Sequence, residues 1–74
     1  MIIYVIKNQK EEVLCEDMEE QFVFVPEMEI DDKVYSPCIF PNPEVINFLW
    51  EKPTMTISTG SVDMSTLTLT KIEL

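Results

Sequence analysis

Apolar and polar residues alternate along this chain with a period that changes several times. Ile2-Ile3-Tyr4-Val5-Ile6 is an unbroken run of β-branched and aromatic residues and predicts a strand buried on both faces. Lys7 to Lys10 is polar and ends it. Over residues 9–21 a helical step gathers Leu14, Cys15, Met18 and Phe22 within about a 100° arc, with Glu12, Glu16, Asp17, Glu19 and Glu20 opposite. Glu11 and Val13 do not fit that arc. Asn8 followed by Glu11 has capping-box spacing, with Asn in place of Ser or Thr. Val13-Leu14-Cys15 shows no strand alternation, so the pattern favours a helix. Glu19 and Glu20 at the negative end of its dipole speak against one, as does the short gap to the next element. The alternative is a hairpin with residues 2–7.

Phe22-Val23-Phe24-Val25 predicts a second two-faced strand, ended or marked as an edge by Pro26. Glu27-Met28-Glu29-Ile30 alternates and extends it with one wet face. Asp31-Asp32 is a turn signal, and residues 33–43, with Pro37, Pro41 and Pro43, read as an ordered extended connection. Asn42 is then a good N-cap, Pro43 suits the first helical position and Glu44 the positive dipole end. Val45, Ile46, Phe48, Leu49 and Trp50 follow, and Pro53 stops the helix after about nine residues, or ~13 Å. Its apolar arc, roughly 200° wide, requires cover on more than one side.

Thr54-Met55-Thr56-Ile57-Ser58 alternates as a half-buried strand, and a turn is expected near Gly60, the only glycine. Val62 and Met64 are even-numbered, Leu67 and Leu69 odd, Ile72 and Leu74 even. That shift predicts a loop to about 64, a strand over 66–73 and an irregularity near Thr70. The order strand, helix, strand, helix, strand, strand predicts an α+β fold. It would be one small domain over residues 1–74, with a mixed or antiparallel sheet of about four strands and one or two short helices packed on one face. If residues 2–6 and 22–25 are parallel neighbours, their crossover is right-handed.

Charge changes the picture more than composition does. The chain has 74 residues, 14 acids and five lysines, for a net charge of −9. Residues 11–32 hold ten of the acids and no lysine, and the remainder sums to +1. A single 22-residue helix would carry ten charges over ~33 Å, close to the ~3.4 Å phosphate spacing of one DNA strand. The functional reading is an acidic face for a basic cleft, including a nucleic-acid-binding one that it would occupy as a DNA mimic. Its residues would be Glu12, Glu16, Asp17, Glu19, Glu20, Glu27, Glu29, Asp31 and Asp32, with Trp50, Phe48 or Phe40 as the apolar anchor. The bland reading is a solvated face that maintains solubility, with Trp50 in the core.

The chain has no histidine, arginine or alanine. The commonest general base, the commonest metal ligand and the bidentate phosphate clamp are therefore missing. Zinc would have to take Cys15, Cys38 and two carboxylates with no spacing motif, and Glu27 to Asp32 lacks the pattern of a calcium loop. No cofactor, metal or catalytic residue is expected. Cys15 and Cys38 read as small apolar thiols in a reducing cytoplasm. No signal peptide or membrane span is expected, because the longest apolar run is residues 1–6. The charge opposes direct contact with nucleic acid or an anionic membrane.

The expectation is a cytoplasmic, non-enzymatic protein that inhibits or modulates a basic protein partner. The absence of alanine and arginine, together with many Ile and Glu, suggests an AT-rich genome. A bacteriophage is one such source, and the compartment is then the host cytoplasm. The alternative is a structural or assembly module acting as a homo-oligomer or as a subunit of a larger particle, through the wide apolar helix and the Thr-rich strand at 66–70.

Overall fold

The structure is a computed structural model. It describes the backbone throughout and every side chain except those of Val45, Ile46, Phe48 and Leu49. The fold is an antiparallel β structure. Its strands are β1 (Ile2–Lys7), β2 (Glu12–Glu16), β3 (Phe22–Pro26), β4 (Ser36–Pro37), β5 (Thr54–Ile57), β6 (Gly60–Asp63) and β7 (Thr68–Glu73). Five of them form one sheet, in the order β3-β2-β1-β7 with β4 also on β2, while β5 and β6 form a separate hairpin. The expected α+β layer of helices on a sheet is therefore wrong. The only helical pieces are 3-10 turns at Glu27–Glu29, Pro43–Ile46 and Met64–Thr66, and one α-helical turn, α1 (Asn47–Trp50).

The helix expected over 9–21 is instead β2 between two turns of one design. Asn8 Oδ1 accepts the N–H groups of Lys10 at 3.0 Å and Glu12 at 2.9 Å. Asp17 Oδ1 accepts those of Glu19 at 2.9 Å and Gln21 at 3.0 Å. In each turn the fourth residue, Glu11 or Glu20, takes a left-handed φ of 62°. An Asn or Asp side chain that can cap a helix can equally close a turn, and the capping-box spacing of Asn8 and Glu11 does not separate the two. Val13, Leu14 and Cys15 are consecutive because β2 is a central strand with both faces covered. β2 also separates β1 from β3, so the condition for a right-handed crossover, that these two strands be parallel neighbours, is not met.

β1 and β2 pair only near Lys7 and Val13 and then diverge. The segment from Ser36 to Phe40 fills the fork as a wedge. It enters along β2, with Ser36 opposite Glu16 and Pro37 opposite Cys15. The Cys38 N–H donates to Leu14 C=O at 3.0 Å, and the wedge leaves along β1 through two 2.9 Å bonds between Phe40 and Tyr4. The three-proline connection is thus ordered, and part of it belongs to the sheet.

Side chains alternate across the sheet into two cores. One face buries Val5, Val13, Cys15 and Val25 under Ile30 and Tyr35, which belong to the chain returning from β3. The other buries Ile6 and Leu14 with Met64 and Leu67, under Phe24, Phe40, Trp50, Met55 and Val62. The eight helical residues from Pro43 to Trp50 divide into a 3-10 turn and one α turn. This is less than the nine-residue helix expected, and the apolar arc assigned to it lies outside the described side chains. β5 appears where alternation predicts it, but β6 occupies part of the segment for which the sequence predicts a loop. Gly60, at φ 139°, opens β6 directly after a two-residue turn.

β7 contains no irregularity at Thr70, since its register with β1 runs unbroken from Ile2↔Glu73 to Lys7↔Thr68. The apolar phase shifts because the two ends of the strand are covered on different faces. Leu69 lies opposite Ile6 and Ile72 opposite Ile3. Among the described residues no helix is long and apolar enough to cross a membrane.

Candidate functional site

The β2–β3 hairpin distributes the acidic segment over one half of the molecule. Glu12 pairs with Pro26 at one end and Glu16 with Phe22 at the other, four residue steps or ~14 Å apart. At the Glu16 end the turn carries Asp17, Glu19 and Glu20. All but the half-buried Asp17 are exposed. No salt bridge reaches these four carboxylates among the described residues.

At the opposite end stand Glu12, Glu27 and Glu29, joined by Glu11. There Lys7 Nζ lies 3.7 Å from Glu11 and 3.9 Å from Glu27, which offsets part of the charge. Glu12 is half-buried, and its Oε1 accepts from Asn8 Nδ2 at 2.8 Å, so it also supports the first turn. From Pro26 the chain returns across the first core to Ser36, opposite Glu16. It carries exposed Asp31 and Asp32 with it. The Asp31 carboxylate accepts the Lys33 N–H at 2.9 Å, and its carbonyl accepts from Val34 and Tyr35.

The nine acids expected to act together thus stay on one half of the sheet, but not as one ridge. They form two ends and a crossing segment. The 33 Å helical spacing that invited comparison with DNA phosphates has no counterpart. Trp50 lies elsewhere, half-buried against the second core with Phe40, so neither is a free anchor. Phe48 lies outside the described side chains.

Two residues the sequence reading did not single out take the exposed apolar role. Met18 is 78 % exposed between Asp17 and Glu19, and Met28 is 93 % exposed between Glu27 and Glu29. Each acidic end therefore presents one flexible thioether. A methionine flanked by acids inside a turn was the available signal, and it was masked because Met18 completed the apparent helical arc.

The remaining chemistry is quiet. Cys15 packs in the first core and Cys38 against the second, on opposite faces of the sheet, and both are free thiols. Burial, then the nearby Cys15 and Glu16, pushes the Cys38 thiol up to about 11, and burial also raises Cys15. A nucleophilic cysteine needs the opposite shift. Asp63 lies below its ordinary value because its carboxylate accepts the Ser65 N–H at 2.9 Å, capping the last 3-10 turn. A hollow of about 430 Å³ between the first turn and the β5–β6 hairpin has Lys10 and Glu12 as its charged walls. No group of three or more Cys, Asp or Glu among the described residues is placed to hold a metal ion.

No protein-family model, curated protein or solved structure matches the chain.

Proposed function

We propose that this chain is a small acidic binding protein that captures a basic protein partner and inhibits or modulates it. The natural class of partner is one whose basic cleft handles nucleic acid. The observation that carries this reading is the confinement of ten acids to the β2–β3 half, each end of which presents an exposed methionine. The carboxylates steer a basic surface into place, and the effect weakens as salt screens them. Met18 and Met28 then supply adaptable apolar contact, since a thioether with three rotatable bonds fits irregular surfaces. The less neutralised Glu16–Glu20 end leads the encounter.

The test replaces charge without breaking the turn. Asp17 is retained because its carboxylate holds two backbone N–H groups. Glu16, Glu19 and Glu20 are all changed to lysine. Wild type and the triple variant are used to capture proteins from a host lysate along a salt gradient, read by mass spectrometry. The expected result is a basic protein retained by wild type at low salt, released as salt rises, and lost from the triple variant. Equal retention by the two would overturn the charge-capture mechanism. Circular dichroism of the variant checks that the fold persists.

A further inference from the structure

We propose that β7 is a self-association edge. Two copies join β7 to β7 antiparallel about a two-fold axis normal to the sheet, with Ile72 opposite Ile72 of the second copy. β7 ends the sheet and pairs with β1 along its whole length. The hydrogen-bonding phase shows which backbone groups remain. Leu74 N–H donates to Met1 C=O at 2.7 Å, so Leu74 faces β1. Tyr4, opposite Lys71, turns its own N–H and C=O away from β7, toward Phe40. Backbone groups of alternate strand residues point the same way. Thr68, Thr70 and Ile72 therefore bond β1, while Leu69, Lys71 and Glu73 point their N–H and C=O groups outward.

Residues 68–73 contain no proline and their ladder has no bulge, so of the usual edge protections this strand carries only the charge of Lys71 and Glu73. Charge selects the second copy as its occupant. On a −9 chain whose excess of acids is confined to residues 11–32, that half repels a second copy, whereas β7 carries one lysine and one glutamate and is locally neutral. The acidic half lies beyond β1, on β2 and β3. Joined at β7, the two β3 strands would stand ~34 Å apart, several screening lengths at physiological salt.

Symmetry then fixes the register. A two-fold axis normal to a sheet must place one β7 residue opposite itself. Centring on Lys71 opposes two ammonium groups, and centring on Thr70 sets Leu69 against Lys71. Centring on Ile72 sets Lys71 against Glu73 of the second copy, twice. Those two pairs use the outward backbone groups and exchange four N–H···O=C bonds. Ile3 lies opposite Ile72 within each copy, so four isoleucines would form one row across the junction. Lys71 and Glu73, now 3.4 Å apart within one chain, lie on the same face and would exchange partners.

The test is sedimentation equilibrium of the full chain from low to high micromolar concentration. It compares wild type, K71E, E73K and an equimolar mixture of the two variants. Both side chains are exposed, and circular dichroism confirms that each variant folds. The expected result is a concentration-dependent wild-type dimer, at least tenfold weaker association for each variant alone, and recovery in the mixture, where opposite charges again face each other. A wild type that stays monomeric throughout would overturn the proposal. So would single variants that dimerise as tightly as wild type, or a mixture no tighter than its components.

Discussion

Val13, Leu14 and Met18 separate the strand from the amphipathic helix that the same residues suggest. A helix over 9–21 would bury Leu14 and Met18 together and leave Val13 outside. In the fold Val13 is 4 % exposed, Leu14 1 % and Met18 78 %. Leu14→Ala removes three carbons, about 2.4 kcal/mol of transfer free energy. Leu14 already borders an apolar hollow of about 210 Å³ with Phe22, Cys38, Ile39, Phe40 and Met55. The added void therefore enlarges existing space instead of collapsing, at a further cost of about 1 kcal/mol. The total of roughly 3–4 kcal/mol is a large share of the ~4–11 kcal/mol expected for a domain of this length.

With a urea m-value of about 1 kcal/mol/M, the Leu14→Ala midpoint should fall by about 3 M or the protein should be unfolded in buffer. Val13→Ala removes two buried carbons and should lower the midpoint by about 2 M. Met18→Ala should move it by less than about 0.5 M, as for other exposed positions. Urea titrations followed by far-ultraviolet circular dichroism and by the fluorescence of half-buried Trp50 provide the readout. A Met18→Ala cost equal to that of Leu14→Ala, with Val13→Ala silent, would refute the strand assignment and both cores with it.

Other consequences are equally open to measurement. Glu20 holds a left-handed φ that favours glycine, so Glu20→Gly should raise stability by about 1 kcal/mol, and a lower urea midpoint would contradict the turn geometry. Cys38, pushed up to about 11 from the ordinary 9.0, has a hundredth of the usual thiolate at pH 8, partly offset by its greater nucleophilicity. Iodoacetamide should thus modify it about tenfold more slowly in the folded than in the urea-unfolded chain, measured by peptide mass spectrometry. Equal rates would mean that the wedge does not shelter it. Asp63 has a folded value below its ordinary 3.8, so the stability it contributes is complete above that value and disappears as pH falls through the folded one. The midpoint difference between wild type and Asp63→Ala should therefore be constant near neutral pH and shrink in acid. A difference that grows with acidity would reverse the sign of that shift.

The strands that bury both faces were legible because an unbroken β-branched and aromatic run has few other stable uses. Residues 2–6 and 22–25 read as such strands and are β1 and β3. β5 was legible from its alternation, and the turn at Asp31 from its residue types. The charge segregation was legible without any structure, because it is a property of chain order. It survives folding because β2, β3 and the returning segment are contiguous.

What local pattern left ambiguous is β2. A five-residue central strand between two turns offers too few residues to display a period, and its flanking acids imitate the polar side of a helix. Asn8 and Asp17 bond the backbone in the same way in either case. Only tertiary contacts decide it. β3 satisfies the β2 backbone on one side, β1 and then the Ser36–Cys38 wedge satisfy it on the other, the returning chain covers Val13 and Cys15, and the β5–β6 hairpin with Met64 and Leu67 covers Leu14. The same cause splits the acids between two ends and exposes Met18. Chain order sets which charges travel together, and long-range pairing sets which way each side chain points, because orientation in a strand follows from register with partners distant in sequence.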